Sequence, residues 1–166
     1  MKYTLSVLVE NHAGVLSKVS GLFSRRGFNI DSLAVGVTED PRISRMTIVV
    51  DGDEYIVEQV EKQLNKVIPV IKVKTLKPDE FISRELSLVK VGCNTAQRAE
   101  IMKIAELMQA RIVDVSPASL TLEFTDTLER TETLVSLLRP YSIREIVRTG
   151  MVAIEKGAQT AKKMQG

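Results

Sequence analysis

Apolar and polar residues alternate at the start of the chain, and the apolar positions then change to a helical spacing. Tyr3, Leu5, Val7 and Val9 recur at every second position, which predicts a strand with one buried face. After a turn, apolar residues recur three and four positions apart, at Val15, Val19, Leu22 and Phe23. Gly27 then suits the end of a helix. This part of the sequence therefore predicts a strand, a turn and a helix.

The same two periods continue through the first half of the chain. Residues 29–38 are apolar and β-branched, 44–50 alternate, 56–67 carry a helical stripe, and 71–75 alternate again. The order of elements is β-α-β-β-α-β. Two right-handed crossovers then place both helices on one face of a four-stranded antiparallel sheet.

The second half repeats this order after a break at 76–80. Strands are predicted at 85–91, 112–115, 120–124 and 142–148, the last of these being the final strand of the chain. A helical stripe precedes the second of these strands and another follows the third. The predicted fold class is therefore α+β, with two ferredoxin-like βαββαβ domains.

The pattern divides the chain into a first domain, a linker, a second domain and a tail. These segments are 1–76, 77–84, 85–154 and 155–166. The tail is rich in Lys, Gln and Ala and lacks a large apolar stripe. A short or frayed helix is the preferred interpretation of this tail.

Composition narrows the class of protein. With 44% hydrophobic and 27% charged residues, the 166-residue chain has the composition of a soluble globular protein. The net charge of +2, the mixed signs, the 4% aromatic content and the absence of Trp argue against a nucleic-acid partner. No apolar stretch approaches the roughly 20 residues of a membrane span, and no signal peptide is evident, so we expect a cytoplasmic protein without a membrane partner.

The sequence offers little for catalysis. Neither a phosphate-binding loop, nor a G-x-S-x-G elbow, nor an H-E-x-x-H motif is present. Cys93 and His12, the only cysteine and histidine, cannot form a metal site of Cys and His ligands. The carboxylates around Asp51 and Asp53 fit a turn that precedes a helix. The chain is therefore predicted not to be an enzyme by itself, with no catalytic residue, metal or cofactor of its own.

The segment Asn11–Leu16 is the best candidate for ligand binding, because it leaves a strand and opens a helix. Gly14 has no side chain to block a ligand, and the free amides of a first helical turn favour a carboxylate. The side-chain oxygens of Asn11 and Asn29 could accept hydrogen bonds from an ammonium group. The alternative is purely structural: an asparagine caps the helix and a glycine permits the turn. From these residues alone, the structural alternative is favoured.

Longer motifs resemble a known family. The matching runs are Leu5–Asn11, Gly14–Ser17, Gly21–Leu33 and Ser44–Ile48. They are similar to the small regulatory subunits of acetohydroxyacid synthase, also called acetolactate synthase. The resemblance is dense over 1–75 and looser over 80–155, where Leu88–Val91 and Ile112–Val115 fit the family's second domain.

The resemblance implies that the first domain is an ACT domain and that two copies pair side by side, enclosing valine, or sometimes leucine or isoleucine, between them. Transferred residue by residue, the effector site comprises segments of both chains, Asn11, Ala13, Gly14, Val15 and Leu16 from one and Asn29 and Ile30 from the other. Ala13 stands where many ACT domains carry proline. His12 is at a variable position and receives no role.

The resemblance also implies a function. The homodimer would activate a separate large catalytic subunit, which carries thiamine diphosphate, magnesium and FAD, and would confer feedback inhibition by the bound amino acid. Asp40, Arg42 and Arg45 are candidate contacts with that large subunit, because charged loop residues often serve recognition. A solvated hairpin tip is the structural alternative for them.

Two other functions are compatible with the fold. One is a free-standing ACT-domain amino-acid sensor that acts on another target, and the other is a small ferredoxin-like enzyme. The absence of a helix-turn-helix or a basic face argues against a transcriptional sensor. The absence of a reactive group of side chains argues against the enzyme.

Overall fold

The computed structural model describes residues 1–158, 160 and 161, and it contains the β-α-β-β-α-β order twice. The first set comprises β1 (Lys2–Glu10), α1 (Val15–Arg26), β2 (Ile30–Val37), β3 (Ile43–Asp51), α2 (Glu54–Asn65) and β4 (Val70–Leu76). The second comprises β5 (Phe81–Gly92), α3 (Thr95–Met108), β6 (Arg111–Ser116), β7 (Ser119–Asp126), α4 (Leu128–Leu138) and β8 (Ser142–Arg148). A further strand, β9 (Val152–Glu155), follows. The predicted α+β class with two βαββαβ domains is confirmed.

The chain forms two compact units. The first consists of Met1–Ile82 together with the chain from Met151 onward, and the second is Ser83–Gly150. The segment predicted as a linker, 77–84, therefore contains the first residues of β5. The strand β9 lies in the part of the chain that the sequence pattern groups with the second domain, yet it belongs to the first unit.

The first sheet has the strand order β2-β3-β1-β4, and its neighbouring strands are antiparallel. Every second side chain of β1 and β3 points to the same sheet face, and there it packs against the apolar stripes of α1 and α2. The buried core is Leu5, Val7, Val9, Val15, Val19, Leu22, Phe23, Met46, Ile48, Val50, Val57, Val60 and Leu64. Burial of these side chains is the main stabilising term of the unit.

The other face of the first sheet is also buried, although none of the four described helices packs on it. Its protected residues include Thr4, Ser6, Leu8, Thr47 and Val49. Arg45 belongs to this face because it lies opposite Leu8, and its Nη2 donates to the carbonyl oxygen of Ala153 in β9 at 2.8 Å. Lys74 Nζ donates to Glu155 at 2.9 Å. The strand β9 thus contacts the helix-free face of the sheet.

The prediction that the chain ends its strands at 142–148 is wrong, because β9 follows. The four residues of β9 are too few to show a strand period in the sequence. The strand is held by pairing with β5. Next to it, the Lys156 amide donates to the Glu80 carbonyl oxygen at 2.8 Å. In the predicted helical tail, Lys156–Ala158 form a bend and a turn. Residues 159 and 162–166 lie outside the described part of the chain.

The second sheet has the order β6-β7-β5-β8, which is the order of the first sheet with each strand replaced by its counterpart. Its core is Val89, Val91, Cys93, Ile101, Ala105, Met108, Leu120, Leu122, Phe124, Leu134 and Leu138. The longest described helix, α3, has 14 residues, and no helix in the described part of the chain is long and apolar enough to cross a membrane.

The helix α4 begins one residue later than the sequence pattern predicts. The pattern predicts Asp126 as the N-cap, with Glu129 completing a capping box. Instead the helix begins one residue later, and the Thr127 side chain accepts from the Arg130 amide. Asp126 accepts from Arg130 Nε at 2.8 Å. A threonine hydroxyl caps a helix as an aspartate does, so the pattern could not distinguish the two neighbouring positions.

Candidate functional site

The beginning of α1 differs from the beginnings of the other three described helices. Asp53, Asn94 and Thr127 cap α2, α3 and α4 with their side chains. At α1 the N-cap is Gly14, with φ +88° and ψ −11°, and no side chain of the described residues accepts from its first turn. The left-handed conformation favours glycine. The structural alternative is therefore half right, since glycine does permit the turn but Asn11 does not cap the helix.

The uncapped turn is open to an anion. The first backbone amides of a helix have no partner within the helix, and the helix dipole makes this end positive. A Cβ atom added at Gly14 would meet nothing within 4 Å, so a ligand can approach the backbone there. Val15 is buried in the core, whereas Leu16 is 47% exposed beside the turn. The turn therefore offers amide donors next to an apolar side chain.

Asn11 connects this turn to the β2–β3 hairpin. Its Nδ2 donates to the carbonyl oxygen of Pro41 at 2.9 Å, and its backbone amide donates to the carbonyl oxygen of Arg42 at 2.8 Å. Because the Nδ2 group is already used, the side chain presents Oδ1 as an acceptor. This connection could not be predicted from the sequence, since a backbone carbonyl carries no sequence signal.

The turn also contains a histidine that responds to pH. His12 Nδ1 lies 3.1 Å from the carbonyl oxygen of Ala13, and Nε2 lies 2.9 Å from the Glu10 carboxylate. Both ring nitrogens donate only in the protonated ring. The hydrogen bond to Ala13, followed by the interaction with Glu10, therefore raises the pKa of His12 above its ordinary value.

Asn29 and Ile30 lie where β2 begins. Asn29 Nδ2 is 3.4 Å from Asp31 Oδ1, which leaves Asn29 Oδ1 as an acceptor, and Asp31 also pairs with Lys2 Nζ at 3.2 Å. Ile30 packs at the edge of the core. Within the described chain, no hydrogen bond or ion pair joins Asn29 or Ile30 to 11–16. The two halves of the candidate site are therefore separate elements of one chain.

The strand β2 is an edge of the first sheet, and among the described strands it pairs with β3 alone. Val35 and Val37 are exposed on it to 47% and 62%. An edge strand with apolar side chains offers unpaired backbone groups and an apolar surface to another strand. The start of this strand carries Asn29 and Ile30, so a second chain at this edge would lie beside them.

The hairpin between β2 and β3 is stabilised by internal contacts. Asp40 accepts from Arg42 through Nε at 3.1 Å and Nη2 at 2.9 Å, and these hydrogen bonds raise the pKa of the Arg42 guanidinium. The Thr38 hydroxyl donates to the carbonyl oxygen of Ile43 at 2.9 Å. The Arg42 side chain is 88% exposed. The hairpin thus presents a fixed charge pair to its surroundings.

Arg45, the third candidate contact, lies in a different environment. Its guanidinium is half-buried on the helix-free face, where it binds Ala153, and burial lowers the pKa of its guanidinium despite the nearby carboxylates of Glu155 and Glu39. Its Nε is buried and has no hydrogen-bond partner among the residues that the structure describes. The structure therefore keeps Asp40 and Arg42 together at the hairpin, whereas Arg45 lies in β3 on the sheet face that β9 contacts.

The described residues contain no group of three or more His, Cys, Asp or Glu side chains that could hold a metal ion. Cys93 is buried in the second core.

Both halves of the chain match known families. Residues 5–72 match the family described as AHAS small subunit-like ACT domain, and residues 84–157 match the family described as small subunit of acetolactate synthase. The acetolactate synthase small subunit of Mycolicibacterium smegmatis is 52% identical over 155 residues, which are 93% of this chain and 91% of that protein. A probable acetolactate synthase small subunit of Archaeoglobus fulgidus is 50% identical over 157 residues, which are 95% and 98% of the two chains.

A crystal structure shows the same likeness. The acetolactate synthase small subunit of Thermotoga maritima superimposes with a TM-score of 0.88 at 38% sequence identity, covering 95% of this chain and 98% of that chain. The similarity therefore extends over both units and over nearly the whole length of each relative.

Proposed function

Because the chain belongs to the acetolactate synthase small-subunit family, we propose that two copies enclose valine between their first domains and transmit its binding to the catalytic subunit. The chain is a non-catalytic regulatory subunit of acetolactate synthase, its first domain is an ACT domain, and its partner is the large subunit in which catalysis takes place. The resemblance and the regulatory role predicted from the sequence are confirmed.

The proposed dimer joins two first sheets along β2. This strand has a free edge and exposes Val35 and Val37. Antiparallel pairing of two β2 strands would satisfy the unpaired backbone groups and cover both valines. Such pairing has twofold symmetry, as most homodimers do. It would bring the start of β2 from one chain towards the other chain.

The proposed effector site uses one element from each chain. The amides at the uncapped start of α1, beginning at Gly14, would bind the carboxylate of valine. Its ammonium group would donate to Asn11 Oδ1 and to Asn29 Oδ1 of the second chain, the two oxygens that the internal hydrogen bonds leave available. Leu16 and Ile30 would contact the aliphatic group. Selection among valine, leucine and isoleucine would be weak, since one methylene changes binding by roughly 1–3 kcal/mol.

The observation that carries the proposal is the hydrogen bond between Asn11 and Pro41. It joins the effector turn to the hairpin that bears Asp40 and Arg42, which we propose as contacts with the large subunit. A ligand can shift the arrangement of the hairpin only through its different affinities for the two arrangements. The coupling free energy between valine binding and the hairpin arrangement would be about 1–3 kcal/mol, the size typical of allosteric proteins.

The chemistry that this assembly controls belongs to the large subunit, which we propose carries thiamine diphosphate, magnesium and FAD. The regulatory chain contributes no reacting group. Its role would be to stabilise an active arrangement of the large subunit in the absence of valine and a less active one in its presence.

Reconstitution tests the proposal. The purified chain is mixed with the large subunit from the same organism, and acetolactate formation is measured with and without valine. We expect the chain to raise the activity and to make it sensitive to valine. An unchanged rate, together with no inhibition by valine, leucine or isoleucine, would refute the proposed activation and feedback.

A further inference from the structure

The peptide group between Ala13 and Gly14 lies at the centre of the proposed effector turn. Its N–H, the amide of Gly14, is the first of the donors that we assign to the carboxylate of valine. Its carbonyl oxygen belongs to Ala13 and lies 3.1 Å from Nδ1 of His12. Within the described part of the chain, no other hydrogen bond holds this peptide group. The His12 ring is therefore the contact that can set its orientation.

The orientation of this peptide group decides where the Gly14 amide points. In a planar trans peptide the carbonyl oxygen and the amide hydrogen point in opposite directions, so a ring that holds the Ala13 oxygen also fixes the direction of the Gly14 N–H. Rotating the plane by half a turn would change φ of Gly14 from +88° to a negative value, which glycine adopts as readily. The glycine backbone therefore does not fix the amide direction by itself, and the hydrogen bond from His12 does.

The protonation state of the ring decides whether this hydrogen bond is made. His12 Nε2 lies 2.9 Å from the Glu10 carboxylate, on the opposite side of the ring from the Ala13 oxygen. A neutral ring has a single N–H, so it can donate to Ala13 or to Glu10 but not to both. The carboxylate is the stronger acceptor of the two. The neutral ring therefore keeps Glu10 and releases Ala13, and only the protonated ring holds the peptide group.

Two charged groups act on the ring from the elements on either side of the turn. Glu10, at the end of β1, favours the protonated form, and Lys18, in α1, opposes it. In the neighbouring hairpin Asp40 and Arg42 bind each other, and the α2–β4 loop meets the end of β1 through the uncharged carbonyl oxygen of Pro69. The histidine side chain is 51% exposed, so it exchanges protons freely with solvent.

We propose that His12 is a positioning residue of the effector site: its protonated ring holds the Ala13–Gly14 peptide group so that the Gly14 amide binds the carboxylate of valine. The inference rests on the proposed function in placing valine at this turn. Valine then binds most tightly while the ring is protonated, and its affinity falls as the pH rises through the titration of His12. By linkage, bound valine favours the protonated ring by the same factor.

NMR of the full-length chain without valine tests the orientation of the peptide group. The nuclear Overhauser effect between the α proton of Ala13 and the amide proton of Gly14 depends on that orientation. We expect it to change with pH at the same midpoint as the ring protons of His12, and to stay constant in His12→Gln. Glu10→Gln should move both midpoints to lower pH together. An orientation that does not follow the ring titration would overturn the role of His12.

Calorimetry with valine tests the consequence for binding. Between about pH 6 and about pH 8.5 the affinity of the wild type should fall by about fivefold or more, the lower end of the range typical of coupled sites. His12→Gln should bind weakly and almost independently of pH, whereas the control Lys18→Gln, which removes a charge beside the same turn, should keep the pH dependence.

The two experiments separate this inference from the effector site itself. The same pH dependence in the wild type and in His12→Gln would overturn the proposal, because this chain has no other histidine. If the wild type binds no valine at any pH, the effector site is refuted, and the spectra without valine still decide whether His12 orients the turn.

Discussion

The Asn11 side chain donates a 2.9 Å hydrogen bond to the carbonyl oxygen of Pro41. This contact joins the turn that begins α1 to the tip of the β2–β3 hairpin, 30 residues along the chain. The Asn11 backbone amide adds a second contact to the same hairpin, at Arg42. A single residue thus belongs both to the proposed effector site and to the support of the proposed large-subunit contact.

Asn11→Ala should therefore reduce valine inhibition more than it reduces valine binding. The change removes one ammonium acceptor and the side-chain hydrogen bond to Pro41, a bond of about 0.5–1.5 kcal/mol. Asn29→Ala, by comparison, should remove an acceptor and leave the connection to the hairpin intact. Affinity is measured by calorimetry and maximal inhibition by acetolactate formation with the large subunit.

The control for Asn11→Ala is Asn65→Ala, at an exposed position at the end of α2. It should change neither quantity. Should Asn11→Ala lower the affinity for valine while the inhibition at saturating valine stays complete, the hydrogen bond to Pro41 would have no part in transmission.

Gly14→Asp should weaken valine binding at least tenfold. An aspartate at φ +88° costs about 1–2 kcal/mol in backbone conformation, and its carboxylate competes with the ligand carboxylate for the same amides. Gly27→Ala is the matched control, because Gly27 also has a positive φ and open space around its Cβ position but ends α1 instead of beginning it. Calorimetry should show near-normal affinity for Gly27→Ala, and equal losses in both variants would assign the effect to stability alone.

His12 should titrate above the ordinary histidine range. Its pKa is raised by the hydrogen bond to Ala13 and by Glu10, so its contribution to the turn is fully present below the unfolded-state pKa. The contribution is lost as the pH rises through the higher folded-state pKa. The chain has one histidine, so an NMR titration of the ring protons measures it directly. Glu10→Gln should lower this pKa, and an unchanged titration would contradict the contact with Glu10.

Long periodic segments made most of the fold predictable from the sequence. β1 carries apolar residues at every second position from Tyr3 to Val9 and α1 carries an apolar stripe, so burial dictates both elements. The four residues of β9 show no period, and their contacts are with β5 and with Arg45 and Lys74 of the first sheet, which lie far away in the sequence. Long-range packing of this kind leaves no local pattern.

The candidate site was less predictable than the fold for a related reason. The glycine at the start of α1 could be recognised from its position between a strand and a helix, because a left-handed turn restricts the choice of residue. The partner of Asn11 is a backbone carbonyl, which any residue provides. Arg45 is half-buried because of its contact with a strand 108 residues away. The residues next to Arg45 in the sequence carry no sign of that strand, and they suggest an exposed charge in a hairpin.

Val35→Lys should weaken the first-domain contact between two chains. Val35 is 47% exposed on the free edge of β2, where two lysines brought together would repel each other and oppose pairing. Ile71→Lys, at a 50% exposed position on β4 at the opposite edge of the same sheet, is the control.

Hydrogen exchange of 30–37 should rise at least tenfold in Val35→Lys only. The valine affinity measured by calorimetry should fall in the same variant, because the proposed site needs residues from both chains. Retained valine affinity in a variant whose β2 exchanges freely would show that one chain forms the site alone.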